Sequence, residues 1–213
     1  MRRPVQLRHE TPLTSEAYLV EHAWVKARLA VCPRHPRGGC GFARHGTYAR
    51  KTPAGMQIAR YYCPTAHETF SLLPDCLASR FPSDLDDLER VVTHVAAARS
   101  VEAAADTLRP EIDLPSAVRW IRRRLTLVRA ALVIVAGVLP GLLLGDVSLV
   151  ALAEAWGTDR VLVTLRGRGA SHLAILPPPL GFGPRSPRRP AHAPGRQHAM
   201  GAARAGPAGG GSP

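Results

Sequence analysis

Cys32-Pro33-Arg34-His35-Pro36-Arg37-Gly38-Gly39-Cys40-Gly41 and, after an intervening run, Cys63-Pro64-Thr65-Ala66-His67 are the stretches that decide how this chain folds. From residue 32 to residue 67 lie all but one of the chain's cysteines and three histidines, gathered into two proline-flanked clusters. A tetrahedral metal ion with N and S ligands is most simply held by two tight turns that each present a pair. Cys40 closes the first cluster and Cys63 opens the second. Between them, Thr47-Tyr48-Ala49-Arg50 and Ile58-Ala59-Arg60-Tyr61-Tyr62 are short β-prone runs broken by Pro53 and Gly55, the pattern of a hairpin. Two knuckles joined by a hairpin predict a small zinc ribbon over residues 31–80.

There are more candidate ligands than places. Cys32, Cys63 and His67 fit best, the first opening one turn and the others forming a Cys-x3-His pair. Cys40 is favoured for the fourth place because Gly41 lets the turn's backbone approach a metal. His35, at Cys-x2-His spacing, is the alternative, and His45 before Gly46 fits the turn into the first strand. The plain alternative is a set of unrelated thiols and surface histidines. Cys76, alone on an expected helical turn, reads as a buried structural thiol. Clustered cysteines with histidines point to metal in a reducing compartment rather than to disulfides.

Working outward, residues 14 to 30 predict a helix within an N-terminal arm (1–30), capped by Thr14 or Ser15. Thr69-Phe70-Ser71-Leu72-Leu73-Pro74 predicts a third strand with Phe70 beneath the metal site. From Ser83 the apolar spacing turns helical. Ser83 with Asp86 opens a helix to about Ala98, and Ser100 caps a second through Leu108, stopped by Arg109-Pro110. Pro115 and Ser116 open a third, Ala117 to about Ala136. A short alanine-rich helix, a turn and an arginine-bearing helix give the layout of a helix-turn-helix domain over 83–136. Arg119, Arg122 and Arg123 stand at i, i+3 and i+4, and with neighbouring Arg124 they are the candidate DNA contacts. A solvated cationic face is the ordinary alternative for such a run.

Residues 130 to 145 carry no charge, but Gly137, Pro140 and Gly141 interrupt them and a span needs about twenty apolar residues. They read as a helix end, a turn and an apolar extension (137–176), with membrane insertion of 130–153 as the second reading. Within the extension, 149–156 suggests a helix and 161–165 a strand or helix start. From Pro177 to Pro213 the Pro, Arg and Gly content predicts a disordered tail. The expected fold class is therefore α+β, mainly α.

The chain's formal net charge is +12, with 5% aromatic residues, 19 Gly and 20 Pro. Such a balance favours polyanionic partners. The start, Met1-Arg2-Arg3-Pro4, leads into polar residues with no apolar secretory core, so the expected location is the cytoplasm.

The ribbon residues quoted above, with His45-Gly46-Thr47-Tyr48-Ala49-Arg50-Lys51-Thr52-Pro53 and the three helices behind them, resemble the zinc-ribbon and helix-turn-helix N-terminal region of bacterial insertion-sequence transposases and related short proteins. The resemblance covers residues 30 to 125. It implies DNA recognition by ribbon and helices. It also implies Zn2+ at Cys32, Cys40, Cys63 and His67, though this chain has Cys-x7-Cys and Cys-x3-His where the family has CxxC pairs. A transposase or a second copy of the chain would be a further partner. After residue 125 the acidic residues are only Asp146, Glu154 and Asp159, in an apolar stretch too short for the RNase H-like sheet of the family's catalytic domain, so no nuclease activity is expected.

Overall fold

The structure, a computed structural model, describes residues 5–139, 141 and 147–183. The chain is α+β. Its single described sheet has four strands, β1 (Val5–His9), β2 (Ala43–Ala49), β3 (Gln57–Cys63) and β4 (Glu68–Pro74), in the spatial order β1-β4-β3-β2. The β2–β3 and β3–β4 pairs are antiparallel, as hairpins must be. β1 lies parallel to β4, with Gln6 opposite Ser71 and Leu7 opposite Leu72.

The hairpin and third strand stand where the sequence predicts them, each slightly longer. β1 replaces the polar arm expected there. Its signal is a short alternation: Val5 and Leu7 pack with Phe70 and Leu72, while Gln6 and Arg8 take the other face. The predicted helix over 14–30 is broken. It comprises α1 (Ser15–Val20), capped by the Thr14 hydroxyl, and a 3-10 turn at Ala23–Val25. His22 between them adopts left-handed backbone (φ 49°), and Arg44 of β2 takes the carbonyls of Trp24 and Val25 at 2.6 and 2.8 Å. Those carbonyls bond across to the sheet instead of continuing a helix.

Five helices follow: α2 (Leu85–Ala97), α3 (Val101–Leu108), α4 (Leu114–Val138), α5 (Leu149–Trp156) and α6 (Val161–Arg168). Side chains of Asp84, Ser100, Asp113 and Ser148 cap the first four, each worth about 1 kcal/mol. At α2 the cap is Asp84, with Ser83 bonding Asp87 Oδ2 at 2.7 Å, one residue on from the expected box. α6 resolves the ambiguous 161–165 segment as helix. It has no side-chain cap of its own. Glu89 of α2 supplies one instead, its two carboxylate oxygens accepting the Val161 and Leu162 N–H groups at 2.9 Å each.

α2, α3 and the first half of α4 enclose Val91, Ala104, Ala105, Ala117, Val118, Ile121 and Leu125. The second half of α4 shares a larger core with α2, α5 and α6, including Leu88, Val128, Leu132, Val135, Leu149, Leu152 and Leu165. Ala131, Leu132 and Val135 of the uncharged run thus bury against protein, while Val133 is exposed. Among the described residues no helix is long and apolar enough to cross a membrane; residues 140 and 142–146 of that stretch lie outside the description.

Residues 177–183, expected in the disordered tail, are instead packed on the fold. Leu176 and Leu180 are fully buried, and Phe182 N–H donates to Leu173 O at 2.6 Å. The rest of that tail, 184–213, falls outside the described residues. What fastens this segment is Arg166, wholly buried, whose guanidinium donates to the carbonyls of Leu180 and Pro179 and, on the sheet side, Pro74, Asp75 and Leu77. Burial pulls its pKa down to about 10, which leaves it a cation at neutral pH. One side chain therefore joins α6, the end of β4 and the C-terminal segment.

Candidate metal centre

Cys32, His35, Cys40 and Cys63 converge on one point, with Sγ and ring-nitrogen atoms all within 4.8 Å of one another. His35 Nδ1 lies 3.7 Å from Cys32 Sγ and 3.4 Å from Cys63 Sγ. A tetrahedral ion with usual bond lengths to sulfur and nitrogen places those atoms about 3.6 Å apart. The spacing found is thus that of ligands around an ion, and this group could hold a metal.

Local sequence explains the convergence. Cys32 opens a turn in which His35 N–H bonds back to Cys32 O at 3.2 Å, so a Cys-x2-His spacing carries both side chains to the same side. Gly41 follows Cys40 with φ 64°, and a Cβ there would stand 3.2 Å from Pro64 Cγ. The glycine is what lets the two turns approach. Thr65 Oγ1 donates to Cys40 O at 3.4 Å across the same gap. Cys63 ends β3 on the face that carries Ala59, Tyr61 and, from β4, Phe70 and Leu72. Phe70 packs in that cluster with all three cysteines, as the sequence predicts.

At Cys32 the electrostatics favour thiolate. Burial works to raise the pKa of Cys32, but hydrogen bonds from His35 and from the backbone N–H groups of Arg34 and His35 outweigh it and bring the thiol down to about 7. Ala66 N–H points at Cys63 Sγ, 3.4 Å away. Cys40 is pushed up, first by burial and then by its two sulfur neighbours, against a backbone N–H from Phe42. Were all three sulfurs ionised, they would need a cation between them. The turn carrying Cys32 is braced from outside, where Arg34 makes a bidentate pair with Glu68, at 2.6 and 3.1 Å. Glu68 is buried in this pair.

His67 lies outside the cluster. It leaves the β3–β4 turn in left-handed backbone (φ 48°), and its Nδ1 meets the Tyr62 hydroxyl at 3.3 Å. Tyr62 precedes Cys63 on the strand and so faces the opposite side of the sheet. His35, the alternative, stands in the fourth place. His45 is an exposed residue of β2 whose ring is 5.6 Å from that of Tyr62. Cys76 is fully buried among Tyr18, Ile58 and Leu77, with its thiol pushed up to about 12 by burial, in keeping with a structural role.

On α4 the arginines divide. Arg119, Arg122 and Arg123 are exposed, and Arg122 has only a 3.9 Å approach to Glu102. Arg124 is buried. Its guanidinium lies 3.6 Å from the Trp120 ring centroid and 5.4 Å from that of Phe81, and burial lowers its pKa to about 10. It packs the helix rather than facing solvent. Comparison with known protein families, curated proteins and solved structures found no match.

Proposed function

We propose that this chain is a zinc-stabilised DNA-binding protein, in which Cys32, His35, Cys40 and Cys63 hold a structural Zn2+ and α4 presents its guanidinium face to duplex DNA. Three thiolates and one imidazole form the soft, four-membered set that suits zinc. With every place filled by protein, no position is left for substrate or activated water, so the metal acts as scaffold. Glu68, the acid beside the turns, is committed to Arg34. The accompanying reading is non-catalytic: an accessory or remnant of a mobile element, related to transposases through the ribbon and helix-turn-helix layout.

The observation that carries DNA binding is the exposed trio Arg119, Arg122 and Arg123, on a helix whose opposite side is anchored by Val118, Ile121, Leu125 and Val128. The succession of α3, the Arg109–Asp113 connection and α4 is compatible with a helix-turn-helix reading. Guanidinium groups spaced this way reach phosphates and the O6/N7 edge of guanine.

The test is duplex binding measured across salt concentrations. Each phosphate contact contributes a slope of about 0.9 in log affinity against log salt. The triple variant Arg119→Ala, Arg122→Ala, Arg123→Ala is expected to bind more weakly, with the slope reduced by about 2 to 3. Wild-type affinity and slope in that variant would refute the assignment of α4.

A further inference from the structure

The sheet face turned away from the metal cluster has its own chemistry. Gln6, Ser71 and Arg60 lie in register on three neighbouring strands, Gln6 opposite Ser71 and Ser71 opposite Arg60. Gln6 Oε1, Ser71 Oγ and Arg60 Nε are all buried with no hydrogen-bond partner, and Ser71 as a residue is only 1% exposed. Buried polar atoms in folded proteins are nearly always paired, so a row of three adjacent exceptions calls for a ligand or solvent that completes it.

What surrounds the row narrows the ligand. Arg60 carbon Cζ is 5.8 Å from the Tyr48 ring centroid, and among the described residues no carboxylate pairs with Arg60. Beside Arg60 on the same face stands the partly buried Tyr62, its ring tilted 41° to His45 and its hydroxyl held at His67 Nδ1. Glu68, the nearest acid in sequence, belongs to the other face, where it holds Arg34. An unpaired guanidinium between two tyrosines, rimmed by two histidines, offers positive charge together with aromatic surface.

We infer that this face binds single-stranded nucleic acid, with Tyr62 stacking on an unpaired base and Arg60 turning to the adjacent phosphate. Phosphate is the acceptor this guanidinium lacks. A duplex has its bases stacked inside and cannot use the tyrosine, so this surface is separate in place and in ligand from the exposed face of α4. It does not depend on duplex binding.

The experiment uses the full chain and fluorescence anisotropy with labelled oligothymidylate, oligouridylate and a mixed-sequence duplex. Tyr62→Leu keeps the bulk but removes the stacking face, and it is expected to lower single-strand affinity about tenfold. Arg60→Gln is expected to reduce the single-strand salt slope by about 0.7. Tyr62→Phe, which retains the ring, stays within about twofold, and duplex affinity is unchanged in all three. The oligonucleotide bound more tightly identifies DNA or RNA as the source. Single-strand binding that is absent in the wild type, or unmoved by Tyr62→Leu and Arg60→Gln, overturns the inference and leaves the α4 reading standing. An equal loss in Tyr62→Phe and Tyr62→Leu overturns the stacking role.

Discussion

Replacing Arg166 with methionine removes five hydrogen bonds at once and leaves a side chain of similar reach. Nε donates to Leu180 O at 2.8 Å, Nη1 to Pro74, Asp75 and Leu77 O at 3.3, 2.9 and 2.7 Å, and Nη2 to Pro179 O at 2.6 Å. A hydrogen bond to a charged group contributes about 1.5–3 kcal/mol, so simple addition would exceed 7 kcal/mol. That sum overstates the loss, because the variant no longer buries a cation and recovers its desolvation cost. Carbonyls at the edge of the segment also gain access to water. The expected net loss is about 3–5 kcal/mol, the range for breaking a buried charged network. With a denaturant slope near about 2 kcal/mol per molar, the urea midpoint drops by about 1.5–2.5 M. Arg166→Lys keeps the charge but has one ammonium where five carbonyls converge, so its midpoint falls between those of wild type and methionine. The assay is urea unfolding followed by circular dichroism. A methionine variant within about 1 kcal/mol of wild type would refute the view that this guanidinium holds the three segments together.

Two further predictions concern the metal and α6. Purified protein is expected to carry one zinc per chain, which Cys63→Ser and His35→Ala lose and His67→Ala keeps; elemental analysis in which His67→Ala loses zinc would restore that residue to the ligand set. Glu89 caps α6 from α2, and its pKa is raised, chiefly by burial. A carboxyl that holds its proton more tightly folded than unfolded contributes stability at low pH, and that contribution falls as pH rises from the unfolded value of about 4.3 through the raised folded value. Glu89→Ala is expected to flatten this slope. It also costs about 2–4 kcal/mol, because two buried N–H groups lose their acceptor; thermal melts across pH read both, and an unchanged slope would be inconsistent with a titrating Glu89.

Local signals were readable and distant ones were not. The two turns, the hairpin between them, the strand ending at Pro74 and the caps at Ser100 and Thr14 each depend on residues close in sequence. So does the choice between Cys40 and a bystander thiol, since Gly41 marks the turn. The choice between His35 and His67 turns on which face of the sheet each loop exit meets, a property of β3 rather than of ligand spacing. β1 was hidden because its partner is far along the chain and its alternation spans few residues. Arg124 was legible in principle: it stands three residues after Ile121 and four before Val128, which places it on the inward side of α4. Its charge argued for solvent, but the Trp120 ring gave it a place in the packing. Glu89 and Arg166 were missed for the same reason, as charged residues used inside the fold.

The parallel pairing of β1 with β4 bears on how the protein is made. During synthesis Val5–His9 are made well before the strand they join, which is not complete until Pro74 has been added. Until then the leading segment has no partner in the sheet, and contacts so distant in sequence form slowly. If the segment is deleted, β4 becomes an edge strand with its backbone groups open to another chain. The pairing of Val5–His9 thus decides whether the finished sheet stays within one molecule or recruits a neighbour.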